Sequence, residues 1–208
     1  MPVREDQVRP ARLPRDARRA QLLQAALHIF TTKGYHAAAM DDIAERAGVS
    51  KPVLYQHFSS KLELYLALLD LGSKELIAKL AEALDSTRDN GQRVLAAVQA
   101  YFSFVDDSAA AFRLLFETDL FNEEQVRERL QRTDDECAAL LREVIAEDTG
   151  LNSEESTMLA FGLMGMAQMS ALRWLRGTEP RDRDRAAELM SRMGWRGISG
   201  FPRHSDNQ

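Results

Sequence analysis

The chain has 208 residues, 45% hydrophobic and 28% charged, ordinary proportions for a globular protein with room for one large or two small domains. A lone cysteine, Cys137, excludes an internal disulfide, and the polar, Arg-rich N-terminus has no apolar core of the kind a secretory leader needs, so a cytoplasmic protein is expected. The net charge of −5 hides an asymmetry: residues 1–60 hold nine Lys and Arg against six Asp and Glu, and the remainder holds 18 against 26.

Residues 1–14 carry Pro2, Pro10 and Pro14 with Arg4, Arg9 and Arg12, and read as a disordered basic arm. A first amphipathic helix begins at Pro14 or Arg15, with Leu23, Leu27 and Phe30 at helical spacing, and is expected to end at Gly34. His28 and His36 lie eight apart across that helix end with no Cys or acidic partner at ligand spacing, so they read as surface residues and not as metal ligands. A second helix starts at Met40, with Asp41 and Asp42 in its first turn and Ile43, Ala44 and Ala47 as its apolar stripe. Gly48 supplies the left-handed residue that stops it. Ser50 is placed as an N-cap and Pro52 falls in the first turn of a short third helix, 51–58. Leu54 and Phe58 face inward, leaving Lys51, Val53, Tyr55, Gln56 and His57 outward.

Two short helices around a glycine form a helix-turn-helix, a motif that lays its second helix in the DNA major groove. The outward face offers a cation, a methyl-bearing residue, a phenol, an amide and an imidazole, all suited to phosphates and base edges. The bland alternative is a helix pair with a polar outer side. A basic head on an acidic body also suits a protein that meets a duplex with one end only. The arm is then either a solubilising leader or a strand whose arginines reach a minor groove.

Beyond the motif, Ser59 or Ser60 caps a long helix over about 60–85, with Gly72 and Ser73 at its middle, either a mild irregularity or a pivot. A loop at 86–91 leads to a helix over 92–106, which Asp106, Asp107 and Ser108 break. The run 109–121 is rich in Phe and Leu, and a charged helix follows from Asn122 to about Glu147. The helix expected over 154–177 is apolar nearly all round, with Met158, Phe161, Met164, Met166 and Met169, and is short of a membrane span. With a helix over 182–193 it reads as a dimer interface; the alternative is the central helix of a monomer. The tail after Trp195 reads as irregular. Tyr101, Phe102, Phe112, Phe116, Phe161 and Met164 point to an apolar ligand cavity, although core packing accounts for the same residues.

The fold class is therefore all-α: a three-helix N-terminal domain with a helix-turn-helix over 15–60, and a larger helical ligand-binding and dimerisation domain over 61–200, with a tail at 201–208. No glycine-rich nucleotide loop, G-x-S-x-G elbow or H-E-x-x-H is present, and the carboxylates of 123–129 alternate with arginines as on a solvated face. No catalytic site, metal site or cofactor is expected. A helical enzyme or lipid carrier without DNA binding is the remaining alternative to a regulator.

The run from Arg18 to Leu68 resembles the N-terminal domain of the TetR family of transcriptional regulators. The residues that carry the likeness are Ile29, Phe30, Gly34 and Tyr35, Asp42-Ile43-Ala44, Ala47-Gly48-Val49-Ser50, Leu54-Tyr55, His57-Phe58 and Lys61. The resemblance implies a homodimer on palindromic operator DNA, a ligand-sensing C-terminal domain, and DNA contacts from Lys51, Pro52, Val53, Tyr55, Gln56, His57 and Lys61. The chain departs from the family at Ala37-Ala38-Ala39, where a capping Thr or Ser usually stands. The same stretch, with FRLLFETDLFNEEQVRERL, VIAEDTGL and WRGISGFP, also looks like the actinobacterial regulators of fatty-acid synthesis within that family. That likeness implies long-chain acyl-CoA as effector and activation of the target genes. The alternative within the family is a repressor of an efflux or catabolic operon that senses another hydrophobic molecule.

Overall fold

The computed structural model describes residues 13–118, 120–177 and 182–198. The basic arm up to residue 12 and the C-terminal tail lie outside them. Among the described residues every regular element is an α-helix, nine in all, and the chain divides into two compact units, residues 1–65 and 66–208.

The first unit holds α1 (Arg15–Ala37), α2 (Met40–Arg46), α3 (Lys51–His57) and the start of α4 (Lys61–Asp85). Leu22, Ala26, Ile29 and Phe30 of α1 close over Ile43, Ala44, Ala47, Leu54 and Phe58, all buried. The regular turns of α1 end at Gly34, as its sequence predicts: the residue is non-helical, at φ 76° and ψ 163°, and a short further helical stretch runs to Ala37. Gly48, at φ 63°, ends α2, and the conformation alone demands glycine, since a Cβ would touch nothing.

Helices of seven residues cannot hold themselves in water. Here their carbonyl ends are tied by long side chains from elsewhere. Gln21 donates to the Ala47 carbonyl at 2.8 Å, beyond the end of α2. Arg19 donates to the His57 carbonyl at 3.2 Å, at the end of α3, and its guanidinium lies 4.2 Å from the centre of the Phe58 ring. Lys61 donates to the Tyr35 and Ala38 carbonyls at 2.8 and 2.9 Å, at the end of α1, with its ammonium over the Tyr35 ring. Ser60 and Glu63 open α4: the Ser60 hydroxyl accepts from the Glu63 N–H, and the Glu63 carboxylate accepts from the Ser59 N–H and hydroxyl.

The second unit holds the rest of α4 with α5 (Asn90–Asp107), α6 (Ala109–Phe116), α7 (Glu124–Thr149), α8 (Ser153–Leu175) and α9 (Arg183–Ile198). α7 packs along α8, and α5 packs against α8 and α9. Asp89 caps α5 by accepting from the Gln92 N–H, so the helix starts at Asn90, two residues before the expected 92. Asn152 caps α8 by accepting from the N–H groups of Glu154 and Glu155, each at 3.0 Å. The helical part of the 109–121 run stops at Phe116.

α4 runs through Gly72 and Ser73 without interruption, which removes the expected irregularity. A Cβ on Gly72 would stand 3.3 Å from Ala111 Cβ and 3.4 Å from Leu115 Cδ1, so the glycine lets α6 approach. Ser73 is engaged beside it, its hydroxyl 2.6 Å from that of Thr133. α9 continues to Ile198, correcting the irregular tail expected after Trp195. Its last turns are anchored: Gly194 abuts Leu163 and Met166, and Trp195 lies against Gly91.

α8 is not enclosed on all sides within one chain. Ser156, Ala160, Ala167 and Ala171 are buried, whereas Met158 is 71%, Met169 63% and Phe161 42% exposed. Leu189 and Met193 of α9 are exposed as well. No described helix is long and apolar enough to cross a membrane.

Candidate nucleic-acid interface and ligand cavity

Along α3 the inward pair is fully enclosed, with Leu54 and Phe58 both at 0% exposure. Lys51, Pro52, Tyr55 and Gln56 are exposed, while Val53 and His57 are half-buried. The Lys51 ammonium pairs with the Asp41 carboxylate of α2 at 2.8 Å, and that hydrogen bond raises its pKa above the ordinary lysine value. Ser50 occupies the N-cap, but its hydroxyl makes no bond to the first turn; its carbonyl accepts from Val53 and Leu54. The Lys61 ammonium donates to carbonyls at the C-terminal end of α1.

The missing Ser or Thr cap before α2 has a local substitute. Asp42 accepts from the Ala39 N–H at 3.3 Å and from the Lys33 ammonium at 2.8 Å. The Lys33 hydrogen bond first, and the Ala39 N–H second, hold the Asp42 carboxyl below the ordinary aspartate value.

In the second unit a cavity of about 70 Å³ runs between α4, α5, α7 and α8. Leu76, Leu80 and Leu84 line it from α4, and Val94, Ala97, Val98 and Tyr101 from α5. Cys137, Leu141, Val144 and Ile145 line it from α7, and Leu163, Met164 and Met166 from α8. At one end Asn90 donates to the Asp148 carboxylate at 2.8 Å. The other end has Tyr101, Phe116, Asp134 and Gln168, of which all but Tyr101 also line a second cavity beside Leu115, Phe121 and Leu130. At about 1.5 Å per helical residue, the walls span roughly 16 Å along α5 from Asn90 to Tyr101 and roughly 21 Å along α7 from Asp134 to Asp148. The space is elongated.

Of the aromatic and methionine residues expected to form a ligand site, Tyr101, Phe116 and Met164 line this cavity. Phe102 is fully buried against Trp174, with ring centres 5.8 Å apart, and does not line it. Phe112 is fully buried behind the wall, edge-on to Tyr101 and tilted against Phe116. Phe161 points to the exposed side of α8. The acidic residues were missed. Asp134 and Asp148 bracket an apolar stripe on α7 with helical spacing, a pattern that sequence inspection could have flagged. Burial, and secondarily the neighbouring Asp135, raises the Asp134 carboxyl. Burial, with Asp134 and Glu136, pushes the Cys137 thiol up to about 12, so it is an inert wall residue. Burial chiefly also raises the Tyr101 phenol. Among the described residues no three His, Cys, Asp or Glu side chains gather as a metal site.

Comparison with known proteins gives these observations a family. The family described as "Bacterial regulatory proteins, tetR family" matches residues 22–68. The chain is 47% identical over 191 residues to the HTH-type transcriptional activator FasR of Mycolicibacterium smegmatis, covering 92% of this chain and 87% of that protein. Among solved structures, a TetR-like transcriptional regulator from Rhodococcus sp. RHA1 superposes with a TM-score of 0.75 at 28% identity, covering 91% of this chain and all of that one. AibR, solved with isovaleryl coenzyme A and operator DNA, shares the fold at a TM-score of 0.69 and 20% identity, over 85% of this chain and 97% of its own. The exposed face of α3, the cavity behind it in sequence and the 47% identity converge on one statement: this chain belongs to the TetR family of bacterial transcriptional regulators.

Proposed function

We propose that this protein is a homodimeric activator of fatty-acid synthesis genes, which reads a palindromic operator with α3 and senses long-chain acyl-CoA in the 66–208 unit. The observation that carries the reading is the elongated apolar cavity, in a chain so similar to an activator of this family. An extended hydrocarbon advances about 1.25 Å per carbon, from bonds of about 1.5 Å and angles near 111°. The walls therefore match roughly 13 to 17 carbons. The lining is apolar along most of that length, and the fold is one that elsewhere takes a coenzyme A ester together with operator DNA.

DNA contacts fall to Lys51, Pro52, Val53, Tyr55, Gln56 and His57. Lys61 acts as a positioning residue that holds the end of α1. The exposed apolar residues of α8 and α9 meet those of a second copy, a two-fold contact that presents two α3 helices to the two half-sites. The effector works by binding one conformation of the dimer better than the other. A tenfold change in operator affinity needs only about 1.4 kcal/mol of such preference.

Gel shift on DNA upstream of fatty-acid synthase genes, with and without hexadecanoyl-CoA, tests the reading. Sequence-selective binding at moderate salt that shifts with the ester is expected. Tyr55→Ala should abolish binding while the melting temperature stays the same. Gln56→Ala should relax selectivity at one base pair by about 1–3 kcal/mol. Binding indifferent to acyl-CoA but released by another apolar compound would favour the repressor of an efflux or catabolic operon.

A further inference from the structure

We infer that the Tyr101 hydroxyl donates a hydrogen bond to the thioester carbonyl of the bound acyl-CoA, so that the cavity takes thioesters in preference to free fatty acids and to chains without a carbonyl. This inference rests on the acyl-CoA reading above. Tyr101 lines the cavity on α5, and its hydroxyl is shut off from water with no hydrogen-bond partner among the described residues. Such a group is costly to a fold unless something outside the fold completes it.

The other polar groups of the wall are committed or wetted. Asn90 donates to Asp148, and Arg93 donates to the Thr87 carbonyl at 2.9 Å and to the Asn90 side chain at 3.2 Å. Gln168 is part-exposed. The missing partner of Tyr101 is therefore an acceptor brought in by the ligand. Its charge is constrained too. Asp134 stands on the same end of the wall, and Arg93, the cation of the lining, belongs to the other. A fatty-acid carboxylate at Tyr101 would bury a second anion beside Asp134, whereas a thioester oxygen bears only a partial charge. Met164 and Met166 supply the adaptable wall that lets a chain slide past the ring.

Calorimetric titration of the full-length dimer with hexadecanoyl-CoA, with its thioether analogue hexadecyl-CoA, and with hexadecanoate tests this. Wild type should prefer the thioester to the thioether by about tenfold, and bind the free acid weakest. Tyr101→Phe should weaken the thioester by about tenfold, leave the thioether unchanged, and match or exceed wild type in unliganded melting temperature. Retention of the thioester preference in Tyr101→Phe, or its absence in wild type, would overturn the inference alone. So would a fall of several degrees in the unliganded variant, which would mean the hydroxyl has a partner within the fold. Wild type that binds neither coenzyme A compound would overturn the inference and the acyl-CoA reading together.

Discussion

Arg19 shows how much one side chain does in the first unit. Its guanidinium covers the Phe58 ring and closes the last carbonyl of α3. Arg19→Ala should cost about 1–2 kcal/mol from a lost ring contact and a lost charged hydrogen bond, and Arg19→Lys should restore part of it. Urea unfolding measures both. Glu63 makes the same region pH-sensitive. Its carboxyl is held below the ordinary glutamate value of 4.5 by the Ser59 hydroxyl first, the Ser59 N–H next and the Arg19 charge last. A group with a lowered folded pKa lends stability that is full above its unfolded value and lost as pH falls through and below that value. Melting temperature should therefore drop below about pH 4.5, and Glu63→Gln should flatten that drop in a melting series from pH 7 to 3.

At the level of elements, the helix-turn-helix was legible because its determinants are local. Gly48, Pro52, Leu54 and Phe58 lie within eleven positions, and each acts on its nearest neighbours. The ties that hold its helices were not legible: Gln21 to Ala47, Arg19 to His57 and Lys61 to Tyr35 join residues 26 to 38 apart, and no spacing rule announces them. The cavity fared likewise. Phe102, Phe112 and Phe161 read alike in the sequence, yet one packs on Trp174, one backs the wall and one faces outward. Gly72 marks where α6 comes close, a packing role that its place in the sequence did not announce. Gly72→Val should destabilise the second unit by about 1–3 kcal/mol through overpacking against Ala111 and Leu115. A parallel shift of the thermal melt, with operator binding unchanged, is the measurement.

For the whole molecule, the proposed dimer rests on the exposed methionines. Met169 is 63% exposed on a helix whose other side is core, so it contributes little to one chain's stability. Met169→Glu should leave each subunit folded and split the dimer, halving the mass seen by native mass spectrometry. Operator affinity should fall with it, because half-sites bound singly lose the gain of linkage. A Met169→Glu protein that stays a dimer would move the subunit contact elsewhere.

If acyl-CoA is the effector, Asp134 at the Tyr101 end disfavours the phosphates of the coenzyme there, and they stay outside in the solvent. The hydrocarbon tail then carries nearly all the affinity, at roughly 0.8 kcal/mol for every methylene enclosed. Each two-carbon extension should tighten binding by roughly an order of magnitude until the trough is full, and add nothing after that. A sensor built this way works as a length gauge, answering to how far elongation has proceeded more than to how much product has accumulated.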